Sequence, residues 1–349
     1  MDDKTNVVDG LNACLNRRDF AGAVSYVERG LVVLDKEFGG GASLIGSLVD
    51  MGATDAVKRL IELGSNVNQK TIYGSLLVSA CQGGHTEMAE ALLDAGADVK
   101  RANHAMEDSG ITALVAATWK CSVALVKRLL EAGADPKAVT KRGETAMGGA
   151  ISRAIKPAMS LARFGAPADV EMMNLLWSAG CPVGATDLHS PVVRRNWETV
   201  HLLLEWRADA NGVWRAPLPP NAVEKGDMPI HLAAGESPVD LPVLKRPPRF
   251  ASERAIEHLA PRIRQDRLAI LRALLQAGAN VNAVQPSTGH TPLTLAIVQK
   301  DLEIAGLLLE AGADPKAEVK VRKKHGTPRM FAEATGKAEL VELIARHGG

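Results

Sequence analysis

Few residues of this chain are of a type and spacing that could do chemistry. The stretch FGGGASLIG (38–46) is rich in glycines of the kind that let backbone amides close around a phosphate. It lacks the G-K-[S/T] ending, and no predicted strand precedes it, so it reads as a loop entering a helix. The sequence contains no G-x-S-x-G, no H-E-x-x-H and no Cys/His cluster with metal-ligand spacing. Its four cysteines (Cys14, Cys81, Cys121, Cys181) are scattered and form no C-x-x-C pair. They read as small buried hydrophobes in a reducing compartment. His85, His189 and His231 fall at recurring positions, and the other histidines show no partner spacing. The expectation is a non-catalytic chain with no catalytic residues, no cofactor and no bound metal.

What recurs is a phrase. LIELGSNV (60–67), LLDAGADV (92–99), LLEAGADP (129–136), LLQAGANV (274–281) and LLEAGADP (308–315) are near-copies. LWSAGCPV (176–183) and LLEWRADA (203–210) are poorer ones. The shared glycine is a ruler: 30 to 64 is 34, 64 to 96 is 32, 96 to 133 is 37, 278 to 312 is 34 and 312 to 348 is 36. The step from 133 to 180 is 47, so that unit carries an insertion, and Arg207 takes the glycine slot in the copy between 180 and 278. A phrase on this period marks a stack of like supersecondary units. Such stacks work by presenting an extended surface to another macromolecule.

Each unit also has an upstream half. GHTPLTLAI (289–297), MPIHLAAG (228–235), GITALVAAT (110–118), GSLLVSACQGGH (74–85) and TDLH (186–189) align. T-P-L-H-x-A, then G-H, then L-L-x-x-G-A-D-V resembles the ankyrin repeat over nearly the whole chain. The resemblance implies an all-α fold with short β-hairpin turns: an ankyrin-repeat solenoid of about nine stacked helix-turn-helix repeats. It also implies that His189 and His231, as the motif histidine, bond between repeats and to backbone.

The residues support this geometry independently. Thr291 before Pro292 starts a helix, because the hydroxyl caps a free amide and proline is preorganised for the first helical position. Ile304, Leu307, Leu308 and Leu309 make one apolar stripe. Gly312 ends that helix by adopting a left-handed conformation. Arg207 would cost about 1–2 kcal/mol in the same conformation, which predicts a distorted or different turn there.

The whole chain, 1–349, reads as a single ankyrin-repeat domain. Residues 1–68 are degenerate N-terminal repeats. Residues 69–211 are central repeats with an insertion at 155–169, expected to hold a short extra helix. Residues 212–282 form an enlarged repeat with a long hairpin (212–227) and an insertion (236–265), and 283–349 are the C-terminal repeats and cap. Within the second insertion, ERAIEHLAPRI reads as a short helix broken at Pro261. Both insertions fall between first and second helices, and so are expected on one edge of the stack. Trp177, Trp197 and Trp206 lie on or beside second helices and read as packing residues. The polar N-terminus carries no secretory signal and no apolar run reaches the ~20 residues of a membrane span, so a cytoplasmic location and no membrane partner are expected. A net charge of +1 and the lack of a known reader motif argue against a nucleic-acid partner.

Ankyrin repeats bind through hairpin tips and the inner face of the first helices. Carried over position by position, the resemblance gives Trp119 and Lys120, then Lys141, Arg142 and Arg153, then Arg194. It continues with Trp214, Arg215 and Lys225 on the long hairpin, and Lys323 and Lys324 in the last unit. Aromatic and arginine anchors carry most interface energy, and basic residues outnumber acidic ones in the middle units. The expected function is a non-catalytic protein–protein interaction module, a monomer by itself, for a partner protein with an acidic and partly apolar patch. Two other readings remain: an inhibitor or immunity protein that occludes a partner enzyme's active site, and an enzyme whose site lies within 212–265.

Overall fold

The computed structural model describes residues 2–38, 42–71, 74–102, 110–155, 170–214, 226–235, 253–321 and 324–349. The chain packs as two compact units, Met1–Arg153 with Val170–Pro182, and Ala154–Asp169 with Val183–Gly349.

The first unit is built from α1 (Asp2–Asn16), α2 (Phe20–Glu28), α3 (Leu44–Asp50), α4 (Thr54–Glu62) and α5 (Leu76–Gly83). It continues with α6 (Thr86–Asp94), α7 (Ala113–Lys120), α8 (Val123–Glu131), α9 (Ala146–Ala154) and α10 (Glu171–Ser178). Antiparallel two-residue strands precede two of the first helices. β1 (Glu37–Phe38) pairs with β2 (Ala42–Ser43), and β3 (Lys70–Thr71) pairs with β4 (Gly74–Ser75). First helices pack on first helices (α3 on α5, α5 on α7) and second on second (α2 on α4, α4 on α6, α6 on α8). Leu76, Leu77, Leu92, Leu114, Leu125 and Leu129 are fully buried between them. Small residues such as Ala80, Ala113, Ala116 and Ala117, also fully buried, keep neighbouring helices close.

The second unit repeats the plan. Its helices are α11 (His189–Val193), α12 (Trp197–Glu205), α13 (Pro229–Ala234), α14 (Glu253–Gln276), α15 (Pro292–Val298), α16 (Leu302–Glu310), α17 (Pro328–Thr335) and α18 (Ala338–Arg346). A hairpin of β5 (Val319–Val321) and β6 (Lys324–Gly326) precedes α17. First helices again stack on one another (α11 on α13, α13 on α15, α15 on α17), as do second helices (α12 on α14, α16 on α18).

Helix boundaries follow the side chains that satisfy free amides. The Thr291 hydroxyl accepts from the Thr294 amide at 3.2 Å, with Pro292 in the first turn, and Ser122, Asn196 and Asp301 cap α8, α12 and α16 in the same way. Gly312, at φ +90, ends α16 while the Ala313 amide returns to the Leu308 carbonyl at 2.9 Å.

Three sequence expectations need correction. Arg207 does not distort its turn. It adopts φ +61, and the Arg207 and Ala208 amides bond to the Leu204 and Leu203 carbonyls at 2.9 Å, the pattern seen around Gly312. The surrounding stack over-determines the turn, and the arginine carries the strain. Pro261 does not break its helix either. α14 runs from Glu253 to Gln276 with Pro261 inside it, so the end of the insertion extends the repeat's second helix instead of forming a separate one. Proline removes one amide bond, and the exposed position lets the rest of the helix continue. Finally, Trp177 on α10 is 41% exposed, whereas a packing role had placed it inside. The insertion 155–169 beyond Ile155, and residues 236–252 of the second insertion, lie outside the described residues.

Candidate functional site

In the first unit, α7 ends on Trp119 and Lys120. Trp119 is half-buried and its indole lies close against Gly149 of the next first helix. A β-carbon built at Gly149 of α9 would stand only 2.9 Å from the indole Cδ1 and Nε1. Glycine at 149 is therefore what lets the ring lie there. Lys120 is exposed, with its stem over Gly84. Lys141 and Arg142 are exposed on the turn before α9, where Val139 bridges to Thr145, and Glu144 is exposed on the same turn. Arg153 is half-buried and its guanidinium donates to the Cys121 carbonyl at the end of α7.

In the second unit, Arg194 is exposed at the end of α11. Trp214 is half-buried. Its amide donates to the Asp227 carbonyl at 3.0 Å and its ring lies 5.3 Å from the His189 ring. It therefore packs against the start of α11. Lys324 lies on β6, while Arg215, Lys225 and Lys323 fall outside the described residues.

The groups that could do chemistry are turned toward backbone. His231 accepts from the Met228 amide through Nδ1 at 3.2 Å, and its Nε2 lies 2.9 Å from the Ala283 carbonyl, which fixes the Nε2–H tautomer. His189 faces the Asp227 carbonyl at 2.9 Å and the Thr186 carbonyl at 3.1 Å. Burial pushes both imidazole pKa values down. Burial also raises the Asp187 carboxyl to about 6, against the effect of the Gly184 amide that donates to it, and raises Asp50 to about 6, against a hydrogen bond with Ser79. The described part of the glycine-rich segment enters α3 through Ser43, whose hydroxyl caps the Gly46 amide at 3.3 Å. Among the described residues no group of three or more His, Cys, Asp or Glu side chains could hold a metal ion, and no helix is long and apolar enough to cross a membrane.

Some working residues escaped the sequence reading. Asn68, Asn211 and Asn282 each stand four residues after a glycine slot (64, 207, 278) and bond to the following repeat, a signal the same ruler carries. Arg195 is 1% exposed at φ +54, and its guanidinium donates to the carbonyls of Val192, Leu232 and Gly235 at 3.3, 2.9 and 3.0 Å. Arg267 of α14 likewise donates to the Ala233 and Ala234 carbonyls at 2.9 and 2.6 Å. Cations at helix C-termini oppose the negative end of the helix dipole. Nothing in sequence distinguishes an arginine used in this way from a solvent-facing one.

Comparison with known proteins agrees with this geometry. A family model for ankyrin repeats in three copies matches residues 47–140, and one for a single ankyrin repeat matches residues 288–319. The chain is 25% identical over 342 residues to the E3 ubiquitin-protein ligase KEG of Arabidopsis thaliana, covering 91% of this chain and 19% of that protein. It is 31% identical over 171 residues to the nuclear factor NF-kappa-B p105 subunit of Gallus gallus, covering 47% of this chain and 16% of that one. An ankyrin repeat-containing protein of Treponema pallidum (strain Nichols) is 29% identical over 165 residues, 46% of this chain and 52% of its own. The chain thus spans between 16% and 52% of the length of these relatives. The recurring phrase, the stacked helix pairs and these matches together show that the chain carries ankyrin repeats.

Proposed function

We propose that this chain is a non-catalytic protein-binding module, one ankyrin-repeat domain across 1–349, acting as a monomer in the cytoplasm. Ankyrin repeats mediate protein–protein interaction, and the repeat family supports that level of the reading. The finer reading is that the partner carries an acidic and partly apolar patch, met in the first unit by Trp119, Lys120, Lys141 and Arg142.

The observation that carries this reading is Trp119. A large aromatic side chain packs against Gly149 of the next first helix, next to exposed Lys120. Such preorganisation lowers the ordering cost of docking, and tryptophan beside cations is the composition of an interface centre. Arg153 contributes by holding the end of α7, because its guanidinium is engaged by the Cys121 carbonyl.

The test is capture from native lysate with the tagged full chain, in rising salt, against a Trp119→Ala, Lys120→Glu, Arg142→Glu variant. One stoichiometric partner, released by salt and lost by the variant, is expected. A partner retained by the folded variant, or unaffected by salt, would overturn the assignment of this surface.

A further inference from the structure

Cys81 and Cys121, forty positions apart, meet in the first unit. Cys81 lies on α5 and Cys121 caps α7, the first helix of the next repeat. The Cys121 thiol donates to the Cys81 carbonyl at 3.5 Å, which brings its sulfur against the residue that carries the second thiol. The backbone puts them there by departing from the repeat. The equivalent position after a first helix is left-handed at Gly52 (φ +73), Gly84 (φ +79), Arg195 (φ +54), Lys300 (φ +60) and Gly336 (φ +71). At Cys121 it is extended, with φ −88 and ψ 173, and the side chain turns back onto the preceding repeat. The Arg153 guanidinium holds the Cys121 carbonyl from the other side.

We propose that Cys81 and Cys121 are a modification site: an oxidisable dithiol that a small hydroperoxide closes to an intramolecular disulfide. This inference is independent of the partner-binding reading. The environment separates the roles of the two sulfurs. The neighbouring Cys81 thiol lowers the Cys121 thiol pKa, helped by the Thr86 hydroxyl, Arg153 and Lys120 and opposed by burial. The neighbouring Cys121 sulfur, with burial, raises Cys81. Cys121, which sits at the end of its helix beside Lys120 with its carbonyl held by Arg153, is assigned as the attacking sulfur, since the thiolate is the nucleophile.

The Cys121 thiolate attacks one peroxide oxygen, the O–O bond breaks, and hydroxide leaves to become water, giving Cys121 sulfenic acid. Cys81 then attacks the Cys121 sulfur, forming the S–S bond and expelling the sulfenic oxygen, which leaves as water with the Cys81 proton. Two thiols lose two electrons and two protons, and hydrogen peroxide becomes two waters. Both sulfurs are buried, at 0% and 1% exposure. A small peroxide can reach them during opening at the end of α7, whereas a bulky thiol cannot, so the internal disulfide is favoured over a mixed one.

The experiment treats the reduced full chain with graded hydrogen peroxide and follows free thiols, intact mass and non-reduced peptide maps. Free thiols are expected to fall from the four of the reduced chain to two. The mass should fall by two hydrogens, with a peptide pair joining residues 81 and 121, all reversed by a thiol reductant. Cys121→Ser and Cys81→Ala, each shown folded by its melting curve, should both abolish the linked pair and leave Cys14 and Cys181 reacting as before. Oxidation only at Cys14 or Cys181, a sulfinic acid at Cys121 with Cys81 still free, or unchanged thiols in a chain whose urea-unfolded form oxidises readily would each overturn the proposal.

Discussion

The segments Asn68–Asp98 and Asn211–Asn280 make the same two hydrogen bonds over very different lengths of chain. In the first unit, the Asn68 amide donates to the Gly96 carbonyl at 3.1 Å, and its oxygen accepts from the Asp98 amide at 2.8 Å. In the second unit, Asn211 makes the matching bonds to Gly278 at 3.0 Å and Asn280 at 2.7 Å, although 67 residues separate Asn211 from Gly278 where 28 separate Asn68 from Gly96. The motif histidines behave alike. His189 reaches Asp227 across 38 residues and His231 reaches Ala283 across 52. Stacking is set by these local hydrogen bonds and by the apolar faces of the helices. Extra residues are passed over, which is tolerable because loop-closure entropy grows only slowly with length. First helices end in the left-handed region in both units, at Arg18, Gly52 and Gly84 in the first and at Arg195, Lys300 and Gly336 in the second. The regions differ at Arg195, whose side chain is buried there, 1% exposed, while Arg18 and Lys300 are exposed.

The largest test of that difference is Arg195→Ala. Removing a charged donor from three carbonyls should cost about 3 kcal/mol, seen as a lower urea midpoint. Arg195→Gly should cost about 1 kcal/mol less than alanine, because glycine relieves the positive φ. Equal losses would mean that the backbone strain is unimportant. Next in size, Asn68→Ala and Asn211→Ala should each cost about 1–2 kcal/mol, and by the same amount. A much smaller loss at Asn211 would show that the enlarged repeat does not rely on the shared bonds. Arg207→Gly should stabilise by about 1 kcal/mol, measured in the same unfolding experiment.

The repeat architecture was legible because it is written several times. The phrase around Gly64, Gly96, Gly133, Gly278 and Gly312 fixes where second helices end, and Thr291–Pro292 fixes where a first helix begins. What was not legible depends on neighbours in space. Arg207 looked like a broken rule, yet packing around it holds the usual turn. Pro261 looked like a helix end, yet α14 runs through it. Arg153 and Trp214 looked like surface residues by register. One donates to the Cys121 carbonyl and the other packs on His189, and a single sequence has no mark for either choice. Cys81 and Cys121 show no spacing motif because their meeting depends on one extended residue at the end of α7.

The smallest effect concerns pH. Burial raises Asp187 from 3.8 to about 6, so above pH 6 its charge weighs on the folded state, and stability from this group rises as pH falls from 6 toward 3.8. His189 and His231 have lowered values, so below the unfolded value of 6.5 the unfolded state takes up protons first and their contribution to stability falls. Asp187→Asn, which keeps an acceptor for the Gly184 amide, should stabilise at pH 7–8 and lose that advantage near pH 4. A gain independent of pH would contradict the assignment to charge burial.

The most direct test of the central claim is amide hydrogen exchange on the captured complex against the free chain. Protein binding through the first unit's aromatic–basic surface predicts new protection at the end of α7 around Trp119 and Lys120 and on the turn carrying Lys141 and Arg142. Protection confined to 212–265, with α7 and that turn unchanged, would contradict it.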